Sequence, residues 1–132
     1  MKLEGGCQCG AVRYSVEGEP QHVAFCHCAD CQKSSGAPAV AWAAYAADDF
    51  AVTAGAALSY SSNGDAIRHF CPTCGSGLYY VNEAVLPGLV DIQVASLDKP
   101  DTLQPQAHIQ VAERISWMKH AASLPEFERY PG

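Results

Sequence analysis

The stretch Ile67-Arg68-His69-Phe70-Cys71-Pro72-Thr73-Cys74-Gly75, followed by Leu78-Tyr79-Tyr80-Val81, reads as a strand, a cysteine turn and a second strand. The apolar and aromatic residues of both arms suit a pleated surface. Between them, Cys71 and Cys74 stand at the ends of a tight turn, and Gly75 can take the positive φ that lets backbone amides approach the second sulfur. Strands elsewhere deliver cysteines in the same manner. Val23 and Phe25 alternate just before Cys26, and Val12, Tyr14 and Val16 share one face of a strand over Ala11 to Val16 that follows Cys7 and Cys9. Leu89 to Val94 and Ala107 to Val111 are further strands, and Ala37 to Ala57 is read as two. Ala29 to Ser35 is expected to hold a single helical turn, and Asp48-Asp49 to begin another before Phe50. The Asn63-Gly64 pair marks a hairpin connection with φ above zero. The tail after Trp117 is expected to pack as irregular chain over the sheet. The fold class is therefore all-β with short helical turns, in one domain over residues 1–132.

Composition narrows the function. Eight Lys plus Arg against fourteen Asp plus Glu leave a formal net charge of −6, the wrong sign for non-specific nucleic-acid affinity. With 48% hydrophobic and 17% charged residues, the 132-residue chain can bury a core and is not disordered. The residues preceding Cys7 hold no apolar run of the signal-peptide kind, so a cytoplasmic, reducing setting is expected. The weakly polar stretch Ala37 to Ala47 falls far short of the roughly 20 residues of a membrane-spanning helix. No membrane or nucleic-acid partner is expected, and the oligomeric state is not legible.

Seven cysteines cannot all pair as disulfides. They fall into Cys7-x-Cys9, Cys26-x-Cys28-x-x-Cys31 and Cys71-x-x-Cys74. If the backbone at Cys7 to Cys9 is extended, both thiols project to one face. Cys7, Cys9, Cys71 and Cys74 then make a closed set of four thiolates, the composition of a structural zinc site. A disulfide or two unrelated buried pairs are the alternatives. Binding of zinc to such a set adds about 10 kcal/mol to folding in small zinc domains. Cys26, Cys28 and Cys31 remain, and three protein ligands are characteristic of catalytic zinc, where a fourth position serves water or substrate. His27 or His69 could close this site instead. An iron–sulfur cluster is disfavoured because no fourth cysteine is left.

The blocks Gly5-Gly6-Cys7-Gln8-Cys9-Gly10-Ala11-Val12-Arg13-Tyr14, Cys26-His27-Cys28-Ala29-Asp30-Cys31-Gln32-Lys33 and Arg68-His69-Phe70-Cys71-Pro72-Thr73-Cys74-Gly75-Ser76 resemble, in order and spacing, the glutathione-dependent formaldehyde-activating family, also called the GFA or centromere protein V domain. Ala107 to Phe127 is similar to the family's C-terminal part. The resemblance implies a β-tent fold, a structural zinc on Cys7, Cys9, Cys71 and Cys74, and a second zinc on Cys26, Cys28 and Cys31. At the second zinc, glutathione and formaldehyde would combine to S-hydroxymethylglutathione.

The chemistry expected is of carbon–sulfur lyase type. A thiol such as glutathione, deprotonated at the second zinc, adds to formaldehyde or another small aldehyde, or the adduct reverts. No protein nucleophile is needed. His27 is expected to point away from the thiolates, in a supporting or surface role. His69 reads equally as a packed strand residue or a proton donor, and Lys33 as a substrate-carboxylate partner or a solvated lysine. Trp42, Tyr45, Tyr79, Tyr80 and Trp117 are candidate pocket walls or core. The alternative function is a non-catalytic zinc-binding protein-interaction module.

Overall fold

The computed structural model describes residues 1–132, folded into two β-sheets with one α-helix and five short 3-10 segments. The smaller sheet is antiparallel and pairs β1 (Lys2–Gly6), β2 (Arg13–Glu17) and β5 (Phe50–Ala54) in the order β1-β2-β5. The larger contains β3 (His22–Cys26), β4 (Val40–Ala46), β6 (Leu58–Asn63), β7 (Ala66–Phe70), β8 (Gly77–Val81), β9 (Leu89–Gln93) and β10 (Ala107–Ile109). Its order is β10-β3-β4-β9-β8-β7-β6, antiparallel except for β10 against β3. The all-β expectation holds, as do the two strands within Ala37 to Ala57.

Side-chain alternation divides the large sheet into two faces. Val23, Ala43, Tyr45, Val90 and Ile92 join Tyr14 and Val16 of the small sheet, and Val12 just before it, in the main core. Phe50 ties the sheets together, its ring centroid 5.7 Å from that of Tyr14 and 4.7 Å from that of Tyr79. Cys7 and Cys71 belong to this core, whereas Cys26 and Cys31 pack with Val40 and Trp42 on the opposite face. The two cysteine groups thus lie on different sides of the large sheet.

Four expectations are corrected. Cys7 to Gly10 is a turn, not extended chain: the Gly10 amide donates to the Cys7 carbonyl at 3.1 Å, and the strand begins only at Arg13. Ala29 to Ser35 is a seven-residue helix, α1, with Cys28 as its N-cap and Gly36 (φ 70°) ending it. The hairpin between β6 and β7 is as expected, with its positive φ at Gly64 and a register shift between Ser61 and Asn63. The tail does not cover the sheet: Trp117, Leu124, Phe127 and Tyr130 are exposed. Val111 also leaves the expected strand, because Gln110 turns the chain with a φ of 57°.

Candidate metal centres

Two near-equivalent turns build the first cluster. The Cys7 amide donates to the Val12 carbonyl at 3.0 Å and the Cys71 amide to the Ser76 carbonyl at 2.9 Å, each spanning the same sequence separation. Gly10 and Gly75 follow the second cysteine of each turn with φ of 82° and 81°, a conformation that side-chain-bearing residues resist. Backbone amides aim at the first sulfur of each pair. Val12 N lies 3.2 Å from Cys7 Sγ, and Thr73 N and Cys74 N lie 3.3 and 3.4 Å from Cys71 Sγ. Gly75 closes the turn, its amide donating to the Cys71 carbonyl at 2.9 Å, and backbone amides approach the second sulfur, Cys74, as well as the first. Cys74 Sγ lies 3.2 Å from the Ser76 hydroxyl, and hydrogen bonds from the side chain and backbone of Ser76 hold its thiol at about 5. Ser76 Oγ also accepts from Gln8 N at 3.0 Å, joining the two turns.

The Sγ atoms of Cys7, Cys9, Cys71 and Cys74 all lie within 4.8 Å of one another. A tetrahedral ion with Zn–S bonds of about 2.3 Å holds its sulfurs about 3.8 Å apart. The Cys7–Cys9 and Cys9–Cys71 separations are 3.6 and 3.8 Å.

The second cluster is positioned by the end of β3 and the start of α1. Cys26 is the last residue of β3. Cys28 caps the helix, its Sγ accepting from the Cys31 amide at 3.2 Å, and Cys31 in the first turn is thereby swung back over Cys26. Their Sγ atoms, with that of Cys28, also lie within 4.8 Å of one another, and the Cys26–Cys31 separation is 3.7 Å. The distance fits the same tetrahedral edge. No histidine or carboxylate atom joins this group. Both clusters can hold a metal ion, the first with four sulfur donors and the second with three.

Neither histidine closes the second cluster. His27 is 1% exposed and turns its Nε2 to His108 Nδ1 at 2.8 Å, so it is buried rather than on the surface. Burial holds its imidazole below the usual range. With the His27 amide donating to Ile109 O at 3.0 Å, it fastens β10 to β3 beside the cluster. His69 stacks on Tyr79 with ring centroids 4.3 Å apart.

Arg68, on β7, was not singled out by its sequence context. Its Nη2 lies 2.7 Å from Asp30 Oδ2 and 3.6 Å from Cys31 Sγ, while its guanidinium carbon sits 5.0 Å from the centroid of Tyr80 and 6.0 Å from that of Trp42. Both ring faces favour the cation. Cys31 is held down at about 5, first by the neighbouring Cys26 thiol and further by Arg68. A cavity of about 240 Å³ opens over the three sulfurs, with Trp42, Tyr80, Arg68 and Asp91 in its wall. A larger groove of about 550 Å³ shares Trp42 and Arg68 with it. Tyr45 is fully buried core, Trp117 is exposed, and Lys33 is exposed on α1 and does not line the cavity.

Asp91 is the other residue that sequence reading missed. It lies within an apolar run on β9, is 7% exposed, and its Oδ1 has no hydrogen-bond partner. No strand-level pattern distinguishes it from an ordinary polar residue of a solvated face.

A sequence model of the family described as glutathione-dependent formaldehyde-activating enzyme matches residues 2–113. A Halomonas elongata protein named "Putative glutathione-dependent formaldehyde-activating enzyme" is 30% identical over 128 residues, covering 90% of this chain and 81% of that protein. A Schizosaccharomyces pombe protein named an uncharacterized lyase is 28% identical over 114 residues, covering 76% of this chain and 82% of its own length. The crystal structure of a Rhodobacter sphaeroides protein superposes with a TM-score of 0.65 at 24% identity, over 80% of this chain and 99% of that one, and shows the same fold.

Proposed function

The chain belongs to the glutathione-dependent formaldehyde-activating enzyme family, and from that premise we propose that it is a zinc-dependent carbon–sulfur lyase. Its reaction joins a small thiol, glutathione or one like it, to formaldehyde or another small aldehyde as an S-hydroxymethyl-type adduct, and runs in reverse. The whole chain, 1–132, acts as one domain carrying two zinc ions. Cys7, Cys9, Cys71 and Cys74 hold the structural ion, and Cys26, Cys28 and Cys31 hold the second. Its setting is a reducing cytoplasm, where free thiols persist.

The observation that carries this reading is the contrast between the clusters. Four sulfurs at the core edge complete a tetrahedral set, whereas three sulfurs on the far face stand under a cavity with no fourth protein donor. Zinc bound by three protein ligands supplies a Lewis-acidic position at which a thiol is held as its thiolate near neutral pH. The protein's own groups do the rest. Ala24, Ile109 and Leu86 line the cavity with apolar surface that limits water. Trp42 and Tyr80 form a wall against which a thiol's carbon chain can lie. Arg68 draws charge from Cys31 and keeps its own place through Asp30, whose second contact, the Ser62 hydroxyl at 2.9 Å, anchors α1 to β6. The adjoining groove can take the body of a peptide thiol whose sulfur reaches the cavity.

Exchange of formaldehyde between free and glutathione-bound forms, followed by nuclear magnetic resonance, tests the function. Zinc-loaded protein is expected to accelerate exchange, and Cys28→Ser protein is expected not to. No acceleration with any of several biological thiols would overturn the reading.

A further inference from the structure

The strand registers place His22, Ala44, Asp91, Tyr80 and Arg68 in one row across β3, β4, β9, β8 and β7, on the face that carries Cys26. Within this row Asp91 is the exception. Its two cross-strand neighbours are Ala44, too small to fill the space above the sheet, and Tyr80, and Asp91 lines the cavity over Cys26, Cys28 and Cys31 beside that ring. It is 7% exposed, no salt bridge reaches it, and Oδ1 has no partner. A buried carboxylate without hydrogen bonds is costly and adds nothing to the sheet. Retaining a proton-exchanging group at that point makes sense where a substrate must gain and lose a proton.

We infer that Asp91 is the proton-transfer residue of the reaction, relaying the thiol's proton to the aldehyde oxygen. The inference rests on the lyase reading above. In the forward direction the S–H proton passes to the Asp91 carboxylate. The sulfur electron pair then forms the C–S bond, the C=O π pair moves onto oxygen, and the proton returns from Asp91 to that oxygen. Asp91 ends as it began, and nothing is oxidised or reduced. Reversal follows the same path, Asp91 taking the hydroxyl proton as the C–S bond breaks.

The groups facing Asp91 suit this role. His22 comes from β3, Tyr80 from β8, Arg68 from β7, and Cys28, Asp30 and Cys31 from the α1 side of the cavity. Burial raises the Asp91 carboxyl to about 6, with His22 opposing the rise and Cys31 adding to it. Both protonation states are therefore accessible near neutral pH, the condition for efficient acid–base catalysis.

The test compares the zinc-loaded full chain with Asp91→Asn, which keeps the shape and removes the titrating group. Formaldehyde–glutathione exchange gives the rate, and the visible spectrum of cobalt-substituted protein with added glutathione reports thiol binding independently. The expected result is a roughly 100-fold slower exchange in the variant, within the usual range for loss of a general acid–base. Metal content and the thiol-induced spectral change should stay intact. An exchange rate within twofold of the parent, or loss of the spectral response together with the rate, would overturn the assignment. Should the variant not fold, the pH–rate profile of the parent decides: a limb near pH 6 supports Asp91, and a flat profile from pH 5 to 8 excludes it. Parent protein that accelerates nothing removes the lyase reading, and the assignment with it.

Discussion

Arg68 Nη2 lies 3.6 Å from Cys31 Sγ, although the two residues come from elements on opposite sides of the cavity, β7 and α1. The contact ties α1 and its cysteine to β7, and the Asp30 carboxylate holds the guanidinium in place at 2.7 Å. Removing a group that orients a metal ligand commonly weakens metal binding by roughly 10–100-fold. Arg68→Met is therefore expected to lose its second zinc to a competing chelator at correspondingly lower chelator concentration, with the first zinc retained. Arg68→Lys should rescue poorly, because an ammonium cannot serve Asp30, Ser62 and Cys31 together as the planar fork does. Equal chelator resistance of parent and variants would contradict this.

The two cysteine groups should fail differently. Cys71 is fully buried in the main core and its turn closes on Ser76 O, so Cys71→Ser is expected to unfold the chain or render it insoluble. Cys28 sits at a helix N-cap on the outer face, where serine is itself a good cap. Cys28→Ser should fold and carry one zinc in place of two. Circular dichroism with elemental analysis distinguishes the pair, and equal loss of fold in both variants would mean that both clusters are structural.

Asp91 also makes a stability prediction, with a definite sign. Its folded carboxyl at about 6 stands above the ordinary 3.8, so folding favours the protonated form. No cost is present below pH 4. It builds between about pH 4 and pH 6 and levels off above that at about 3 kcal/mol. Asp91→Asn is thus expected to be more stable than the parent at pH 8 and nearly equal at pH 4, as measured by denaturant unfolding. A parent at least as stable as the variant at pH 8 would show that the carboxylate is compensated.

Gly55 presses on the loop that carries Cys9. With φ of 73° it turns the chain between β5 and β6, and an added Cβ would run into the Ala11 carbonyl oxygen. Gly55→Ala is expected to cost about 1–3 kcal/mol and to lower the thermal midpoint. Release of the first zinc should accompany the loss, because Val12 N and the Cys7–Gly10 turn shift with Ala11. An unchanged midpoint would show that the loop yields.

The strands and both cysteine groups were legible because they rest on local signals: period-two alternation around Val12, Tyr14 and Val16, and close cysteine spacing. The turn at Cys7 to Gly10 is not legible in the sequence, since the i, i+2 spacing fits extended and turned backbone alike and only the Gly10 amide's bond to Cys7 O decides. Arg68 and Asp91 were invisible for a different reason. Their roles depend on which strands become neighbours, and the β4-β9-β8-β7 order joins residues that no local pattern links. The tail after Trp117 is irregular as expected but does not pack over the sheet, since Leu124, Phe127 and Tyr130 stay exposed; a segment without periodicity carries no signal of which surface it covers.

The central claim is that the Cys26, Cys28 and Cys31 cluster takes a metal ion and accepts a substrate thiol as a further ligand. Visible spectroscopy of the cobalt-substituted chain, titrated with glutathione, measures this directly. The expected result is two cobalt ions per chain, with one set of absorption bands shifting as thiol is added and the other unchanged. A second set of bands that ignores every thiol tried, or only one cobalt bound under any condition, would contradict it.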